Sequence, residues 1–197
     1  MSRHFFGYGS LVNLDTHTYP SPKPATLSGW RRVWRFSPHR TLGYLSVEPH
    51  ADSTIHGMVA QVPDQDWAAL DERERAYRRV DISHALPQTM IYEVDPDTTV
   101  RTNQSHRILL SYPDVVIQGY LRLMGPDGAQ HFADTTAGWD VPVLNDRACP
   151  IYPRAQTLTA QETKTVDDLL DGLATPLEVP KQSEMTVEWF TRIRGAA

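Results

Sequence analysis

The chain has 197 residues, of which 40% are hydrophobic, and carries a formal net charge of −5 with an isoelectric point near 5.9. This length and composition predict one domain, with or without an extension, that buries a sizeable core. The negative charge argues against a nucleic acid or an anionic membrane as partner, and the single cysteine, Cys149, excludes an internal disulfide and favours a reducing compartment.

Membrane insertion and secretion are not expected from the sequence. No apolar run approaches the ~20 residues that are needed to span a bilayer. Residues 7–10 interrupt the apolar core that a signal peptide would need. We therefore expect a cytoplasmic protein with no membrane or nucleic-acid partner, either a monomer or a homodimer.

The first chemically informative stretch is residues 5–13. Its aromatic start predicts a short buried strand, and Gly7 and Gly9 on either side of Tyr8 permit positive φ or the close approach of another group. The chain then turns, and the amides of the turn can point into one small space that suits a carboxylate or a developing oxyanion. The alternative is a plain tight turn packed by Tyr8 and Leu11.

The next part of the chain predicts a sheet. Prolines at positions 20, 22 and 24 indicate a loop over residues 16–24. Residues 27–36, 42–47 and 54–62 are each rich in aromatic and β-branched residues and predict three strands. Short strands separated by Gly, Pro and Asp are typical of a curled sheet or a small barrel.

A helix is predicted from Asp64, a good N-cap, to about Tyr77. Trp67, Leu70, Glu74 and Tyr77 recur at spacings of three and four, so they share one face of that helix. Three of the four suit a face that packs on a core, and the fourth is a carboxylate.

Glu74 is therefore the main candidate for chemistry. A carboxylate on an apolar face is costly, and desolvation should raise its pKa towards the range in which it can both accept and donate a proton. The alternative is a structural ion pair with an arginine, for example Arg79.

The second half of the sequence predicts strands at residues 79–85, 89–94 and 107–110. A helix with a serine cap and a first-turn proline should follow from Ser111 and end at Gly125, with a role in packing only. The residues predicted on its core face are Tyr112, Val116, Tyr120 and Leu123 or Met124.

Residues 139–154 are rich in aromatic residues, proline and charge, and show no clear period. Such a stretch is either a binding or lid element or an irregular brace. Our hypothesis is that it closes over the pocket, with Arg147 or Arg154 pairing a substrate carboxylate. A helix over residues 159–173 and a short amphipathic piece over residues 185–193, packed on the domain or on a partner subunit, complete the chain.

Two of these motifs together resemble a known family. Phe6-Gly7-Tyr8-Gly9-Ser10-Leu11 and Leu70-Asp71-Glu72-Arg73-Glu74, the latter followed by Tyr77, Arg79 and Val80, are similar to the γ-glutamylcyclotransferase superfamily of ChaC-like and AIG2-like proteins. The ChaC-like, glutathione-degrading branch looks closest. The resemblance covers residues 4–95 and extends weakly to 138.

The resemblance implies an α+β fold, a small mixed β-barrel with flanking helices. Residues 1–138 would form this domain, and 139–197 would be an extension of a lid-like loop and C-terminal helices packed on it. It also implies that Glu74 is catalytic and that the remaining site residues hold the γ-glutamyl part of a substrate, through the backbone amides of Gly9, Ser10 and Leu11 and the side chains of Tyr8 and Tyr77.

The implied reaction can be argued from chemistry as well. The α-amine of a γ-glutamyl group reaches its own γ-carbonyl, closes a five-membered ring and releases 5-oxoproline, so no metal or organic cofactor is required. Ser10 is set aside as a nucleophile because Val12 stands where the nucleophile elbow needs glycine, and none of the eight histidines has metal-ligand spacing. The alternative function is a non-catalytic protein of the same fold that holds an acidic metabolite or a protein partner.

Overall fold

The computed structural model describes residues 3–37, 41–95, 97, 99 and 106–180. The strands in these ranges are β1 (His4–Gly7), β2 (Lys23–Phe36), β3 (Gly43–Gln61), β4 (Arg78–Asp81), β5 (Thr89–Glu93), β6 (Ile108–Leu109), β7 (Thr136–Ala137), β8 (Val143–Leu144) and β9 (Leu177–Glu178). The α-helices are α1 (Trp67–Arg73), α2 (Ser111–Asp134) and α3 (Ala160–Gly172). The amphipathic piece predicted at residues 185–193 lies outside the described residues.

The main sheet is open and mixed, with six strands in the order β4-β5-β1-β3-β2-β7. Neighbouring strands are antiparallel, except that β1 pairs with β5 and β2 with β7 in parallel. The α+β class is therefore correct and the predicted small barrel is wrong. The edge strands, β4 with four residues and β7 with two, do not pair with each other in the described part of the chain. A barrel needs every strand paired on both sides.

The longest strands, β2 and β3, explain why the sequence overstates the number of strands. Residues 42–47 and 54–62 are predicted as separate strands, but β3 runs unbroken through both and pairs with β2 along almost its whole length. The polar residues between them are exposed or half-buried positions of the same strand. Pro24, predicted in a loop, already lies in β2.

The remaining predicted strands are confirmed with shifted bounds. Residues 27–36 fall within β2, and the stretches 79–85, 89–94 and 107–110 overlap β4, β5 and β6. Strand β1 lies inside the sheet between β3 and β5, and its Phe5 and Phe6 are almost completely buried. The turn that follows β1 therefore starts from a fixed position in the core.

Helix α2 packs directly on that turn. A Cβ atom added to Gly119 would lie 2.6 Å from the Asn13 backbone nitrogen, so only glycine allows the helix to come this close. The Asn13 side-chain amide donates to the Val115 carbonyl and to Gln118 Oε1, each at 2.9 Å. The chain after β1 is thereby held against α2.

The start of α2 differs from the prediction, whereas its interruption agrees with it. Leu110 occupies the N-cap position, and Ser111, the predicted cap, donates its hydroxyl to Asp146 Oδ2 at 2.6 Å. At Gly125 the backbone has φ 73° and ψ −172°, which interrupts the helix where the sequence predicts its end. A second helical segment then continues to Asp134.

Buried Asp146 fastens the segment that follows α2 and β7. Its carboxylate accepts hydrogen bonds from the backbone N–H groups of Ser111 and Ile151, both at 2.8 Å. Since these donors lie on α2 and on the segment itself, residues 146–151 are fixed to the start of the helix. This part of residues 139–154 is an irregular brace.

A second, parallel sheet of three short strands has the order β6-β8-β9.

Helix α3 follows the segment of residues 139–154 and confirms the predicted helix at residues 159–173. Thr159 and Glu162 form a capping box, with Thr159 N–H donating to Glu162 Oε2 at 2.8 Å and Glu162 N–H to Thr159 Oγ1 at 3.2 Å. The division into a domain over 1–138 and an extension over 139–197 stays a prediction.

Candidate active site

The backbone after β1 forms a 3₁₀ turn, Ser10–Val12, and residues 7–12 are called the glycine turn below. Gly9 has φ −119° and ψ −132°, and the glycines with positive φ in the described chain are at positions 29, 125 and 138. Positive φ is therefore not what the glycine turn requires. Gly9 is needed because a Cβ there would lie 2.6 Å from the Tyr112 hydroxyl oxygen.

Two amides of the glycine turn are left without an acceptor inside it. The N–H groups of Val12 and Asn13 close the turn on the carbonyls of Gly9 and Ser10, at 2.9 and 3.1 Å. Those of Ser10 and Leu11 are the first of the 3₁₀ turn and have no acceptor within it. The Tyr112 hydroxyl lies near these amides, and the Ser10 amide acts to lower the pKa of that phenol against the larger effect of burial.

Glu74 lies at the C-cap of α1 and not within a helix. The predicted start at Asp64 is wrong because Asp64 has φ 49°, and Asp66 is the cap, accepting from Ala68 N–H at 3.2 Å. The helix ends at Arg73, and Tyr77 follows in a turn closed by its N–H on the Glu74 carbonyl at 2.7 Å. The argument that these residues share a helical face is therefore wrong.

The Glu74 carboxyl is nevertheless buried, with 15% of its side chain exposed. Its Oε1 accepts a hydrogen bond from Arg73 Nε at 3.1 Å, and its Oε2 has no partner in the part of the chain that the structure describes. Burial raises the pKa of Glu74 above its usual value, against the opposing charges of Arg73 and Arg154. The shift has the direction that the sequence predicts.

Arg79, offered from the sequence as the partner of a structural Glu74, is not that partner. It forms an ion pair with Asp71 at 3.4 Å, and its guanidinium lies 4.5 Å from the centre of the Trp67 ring. The arginine that contacts Glu74 is Arg73, which also donates to the carbonyl and hydroxyl oxygens of Thr16 at 2.9 and 3.1 Å.

Four tyrosines lie around Glu74, namely Tyr8, Tyr77, Tyr92 and Tyr112. The Tyr8 hydroxyl donates to the Tyr92 carbonyl at 2.6 Å, and the Tyr77 hydroxyl donates to the Leu45 carbonyl at 3.0 Å. Burial raises the pKa of Tyr8, Tyr77 and Tyr112 well above that of a free tyrosine. All three phenols are therefore neutral at physiological pH.

These groups enclose one small cavity, the inner pocket, of about 30 Å³. It brings together Glu74 and every predicted substrate-binding residue. Its lining consists of Phe6, Gly7, Tyr8, Gly9, Ser10, Leu11, Leu45, Glu74, Tyr77, Tyr92 and Tyr112.

A larger cavity of about 420 Å³, the outer cleft, shares Ser10, Leu45, Glu74, Tyr77 and Tyr112 with the inner pocket. Its other side chains include three further aromatic residues and three arginines, namely Trp34, Tyr44, Tyr152, Arg73, Arg75 and Arg154. Its size is that of a small-molecule site.

Residues 151–154 line the outer cleft, so one end of the predicted lid-like segment does reach the site. Of the two arginines proposed to bind a carboxylate, Arg154 borders the cleft and Arg147 does not. Arg147 instead binds Asp114 through two hydrogen bonds of 2.8 and 2.7 Å, and Asp167 through one of 2.7 Å.

Tyr112 and Arg73 are the main site residues that the sequence analysis missed. The spacing of Tyr112 with Val116 and Tyr120 predicts packing, and no local signal places it beside Gly9, 103 positions away. Arg73 directly precedes Glu74, and in the helix predicted for this stretch neighbouring residues do not face each other. The sequence analysis did consider an arginine paired with Glu74, but it gave Arg79 as the example.

The described residues offer no group of side chains that could bind a metal ion. Within the described ranges, no three or more histidine, cysteine, aspartate or glutamate side chains are grouped so that they could hold a metal ion. The ring centres of His56 and His131 lie 3.6 Å apart in a stack, and His50 Nδ1 lies 2.9 Å from Ser53 Oγ in a hydrogen bond.

Among the described residues, no helix has the length and apolarity to cross a membrane.

Comparison with protein families gives one match. The model of a family described as gamma-glutamyl cyclotransferase, AIG2-like, matches residues 5–112, which is more than half of the 197-residue chain. The match includes the glycine turn, Glu74 and Tyr112, and stops before the segment that carries Arg154. No curated protein matches the chain significantly.

Solved structures of similar fold are distant in sequence. The chain is similar to YkqA from Bacillus subtilis with a TM-score of 0.50 and 16% identity, over 70% of this chain and 56% of that one. A structure named gamma-glutamyl cyclotransferase has a TM-score of 0.49 and 12% identity, over 85% and 99%. A structure of a yeast gamma-glutamyl cyclotransferase specific to glutathione has a TM-score of 0.42 and 14% identity, over 87% of this chain and 97% of that one. The likeness to YkqA concerns the fold alone.

Proposed function

The chain belongs to the gamma-glutamyl cyclotransferase, AIG2-like family, and from this premise we propose that it releases 5-oxoproline from a γ-glutamyl compound. One observation carries the proposal: Glu74 and residues 7–11 of the glycine turn line the same inner pocket. A proton acceptor facing hydrogen-bond donors across a small cavity supplies what this cyclisation needs.

The reaction forms one bond and breaks another within the substrate. The α-amine nitrogen attacks the γ-carbonyl carbon, a five-membered ring closes, and the bond from that carbon to the leaving nitrogen breaks. The α-ammonium must first lose a proton, and the leaving nitrogen must gain one. Because the nucleophile is tethered to the electrophile, the enzyme needs no covalent intermediate.

In this proposal Glu74 carries the proton between the two nitrogens. Its raised pKa brings it closer to the range in which one carboxyl accepts and then donates a proton near neutral pH. Oε2 is available for the transfer because Arg73 occupies Oε1. General acid–base catalysis of this kind contributes about 10²–10⁴-fold to a rate.

The amides of Ser10 and Leu11, with Gly9 giving access, stabilise the γ-carbonyl oxygen as it gains charge. The Tyr112 hydroxyl lies close to this part of the glycine turn, so we expect the γ-carbonyl oxygen to bind beside it or to displace it. Neutral Tyr8 and Tyr77 form the walls of the pocket and bring no competing negative charge.

A non-catalytic binding role is the second candidate, and the Arg73–Glu74 ion pair favours it, because a carboxylate held by a neighbouring arginine can be structural. A structural role predicts that Glu74 is dispensable for chemistry. The two candidates therefore differ in a measurable way.

The test measures 5-oxoproline release from a panel of γ-glutamyl dipeptides, glutathione and γ-glutamylamines. We expect turnover of at least one compound, and a loss of about 100-fold or more in kcat for Glu74→Gln. Glu72→Gln is the matched control, because Glu72 is 77% exposed and contacts only Arg75, at 3.7 Å, in the described chain. Bound ligand without turnover of any compound would establish the binding role instead.

A further inference from the structure

The inner pocket and the outer cleft divide a substrate between them. A water molecule needs about 10–15 Å³ of such space, so the 30 Å³ of the inner pocket accommodates only a few atoms around the reacting carbonyl. The group that leaves must lie in the outer cleft, where 420 Å³ is open to it. The chemistry of the outer cleft therefore selects the leaving group.

The ionisable side chains of the outer cleft are mostly cationic. Glu74 is the one carboxylate among its described lining residues, against Arg73, Arg75 and Arg154. Arg73 is bonded to Glu74, and Arg75, 79% exposed, contacts Glu72.

Arg154 differs from the other two arginines. No carboxylate lies within 4 Å of its guanidinium in the described chain, although its charge is close enough to lower the pKa of Glu74. Among the described residues it is therefore a cation at the cleft without an ion-pair partner.

Positive charge therefore predominates in the outer cleft. Among its described lining residues, three arginines stand against one carboxylate, and Arg73 already pairs with that carboxylate. A leaving group with carboxylate oxygens complements this cleft, and a cationic amine does not.

We propose that Arg154 binds the carboxylate of the leaving group, so that the substrates are γ-glutamyl amino acids or peptides and not γ-glutamylamines. This inference rests on the proposed function. The amide bond that breaks then releases an amino acid or peptide, whose nitrogen takes the proton from Glu74. Arg154 lies outside the residues 5–112 that the family model matches, so the family match does not bear on this preference.

Two substrates that differ by one carboxylate test the proposal, namely γ-glutamylalanine and γ-glutamylethylamide. We expect wild type to show a KM about 10- to 100-fold lower for the alanine compound, the range for a hydrogen bond between charged groups. In Arg154→Gln the ratio of the two KM values should fall towards one, and Arg154→Lys should restore part of it. Arg31→Gln is the control, because Arg31 lies on β2 and lines neither cavity, and it should leave the ratio within about twofold of wild type.

A ratio that is unchanged in Arg154→Gln, or a wild type that prefers the ethylamide, would overturn the inference. The ratio also cancels any general effect of Arg154 on the pKa of Glu74, since that effect acts on both substrates. If neither these two compounds nor any other member of the panel yields 5-oxoproline, the proposed function fails. The role of Arg154 is then tested by calorimetry, which gives the Kd of each compound for Glu74→Gln and for Glu74→Gln/Arg154→Gln. If Glu74→Gln binds the two compounds with equal affinity, the role of Arg154 is refuted.

Discussion

Replacing Arg147 by glutamine tests how the segment that carries Arg154 is fastened to the fold. Arg147 joins this segment to α2 through Asp114 and to α3 through Asp167. The two carboxylates differ in environment, because 7% of the Asp114 side chain is exposed and 48% of the Asp167 side chain. Burial raises the pKa of Asp114 above its usual value even though Arg147 opposes the shift.

The expected loss of stability depends on which charged group each substitution leaves unpaired. Arg147→Gln leaves the buried Asp114 carboxylate without its cation, which costs about 3 kcal/mol at the lower end of the range for broken buried pairs. For a chain of this size, each kcal/mol lowers Tm by about 2–4 °C, so we expect a loss of about 6–12 °C. Asp167→Asn removes an exposed partner and should cost no more than about 1 kcal/mol.

The assay is thermal unfolding of both variants and wild type between pH 4 and pH 7. A carboxyl whose pKa is raised in the folded state is destabilising when ionised, and the cost disappears as pH falls below its pKa. The deficit of Arg147→Gln should therefore narrow towards pH 4. Equal Tm losses for Arg147→Gln and Asp167→Asn, or a deficit that does not change with pH, would refute this reasoning.

Three further predictions concern the site and the titratable core. Gly9→Ala places a Cβ 2.6 Å from the Tyr112 hydroxyl, so kcat should fall at least tenfold, whereas Gly172→Ala, with open space around its Cβ, should behave as wild type in the same 5-oxoproline assay. Because burial raises the pKa of Glu74, the acidic limb of the kcat/KM profile should lie above pH 4.5, and a limb at or below that pH would contradict it. Burial lowers the pKa of His131 below 6.5, so denaturant titrations should show the free energy of unfolding falling as pH drops below 6.5, and less steeply for His131→Gln.

Part of the candidate site could be predicted from the sequence, because the glycine turn and the stretch around Glu74 are each continuous in the chain. The glycine turn and Glu74 lie in one pocket, and the pKa of Glu74 is shifted in the predicted direction. The helix that precedes Glu74 was harder to predict, since its start depends on Asp64 adopting φ 49° instead of capping. Propensity does not reveal such a choice, which tertiary contacts decide.

Tyr112 shows what sequence periodicity cannot distinguish. A tyrosine four residues before Val116 fits a core-facing stripe, and Tyr120 on the same face is indeed fully buried. Tyr112 lies about two turns before Tyr120, at the start of α2, and its hydroxyl oxygen lies 2.6 Å from the place of a Cβ on Gly9. Only the contact between α2 and the chain after β1, set by Gly119 and Asn13, places it there.

Glu74 differs from another glutamate of the same chain, Glu162, in the direction of its pKa shift. Although burial opposes it, hydrogen bonds from Arg122 and Thr159 lower the pKa of Glu162 to about 2, as expected of a carboxylate that stabilises the fold. Glu74 shifts the other way in spite of two arginines, because its burial outweighs their attraction. Its ionised form therefore costs stability at neutral pH, and a residue that only filled the space would avoid that cost. Retaining an acid there is intelligible if the pocket uses its proton.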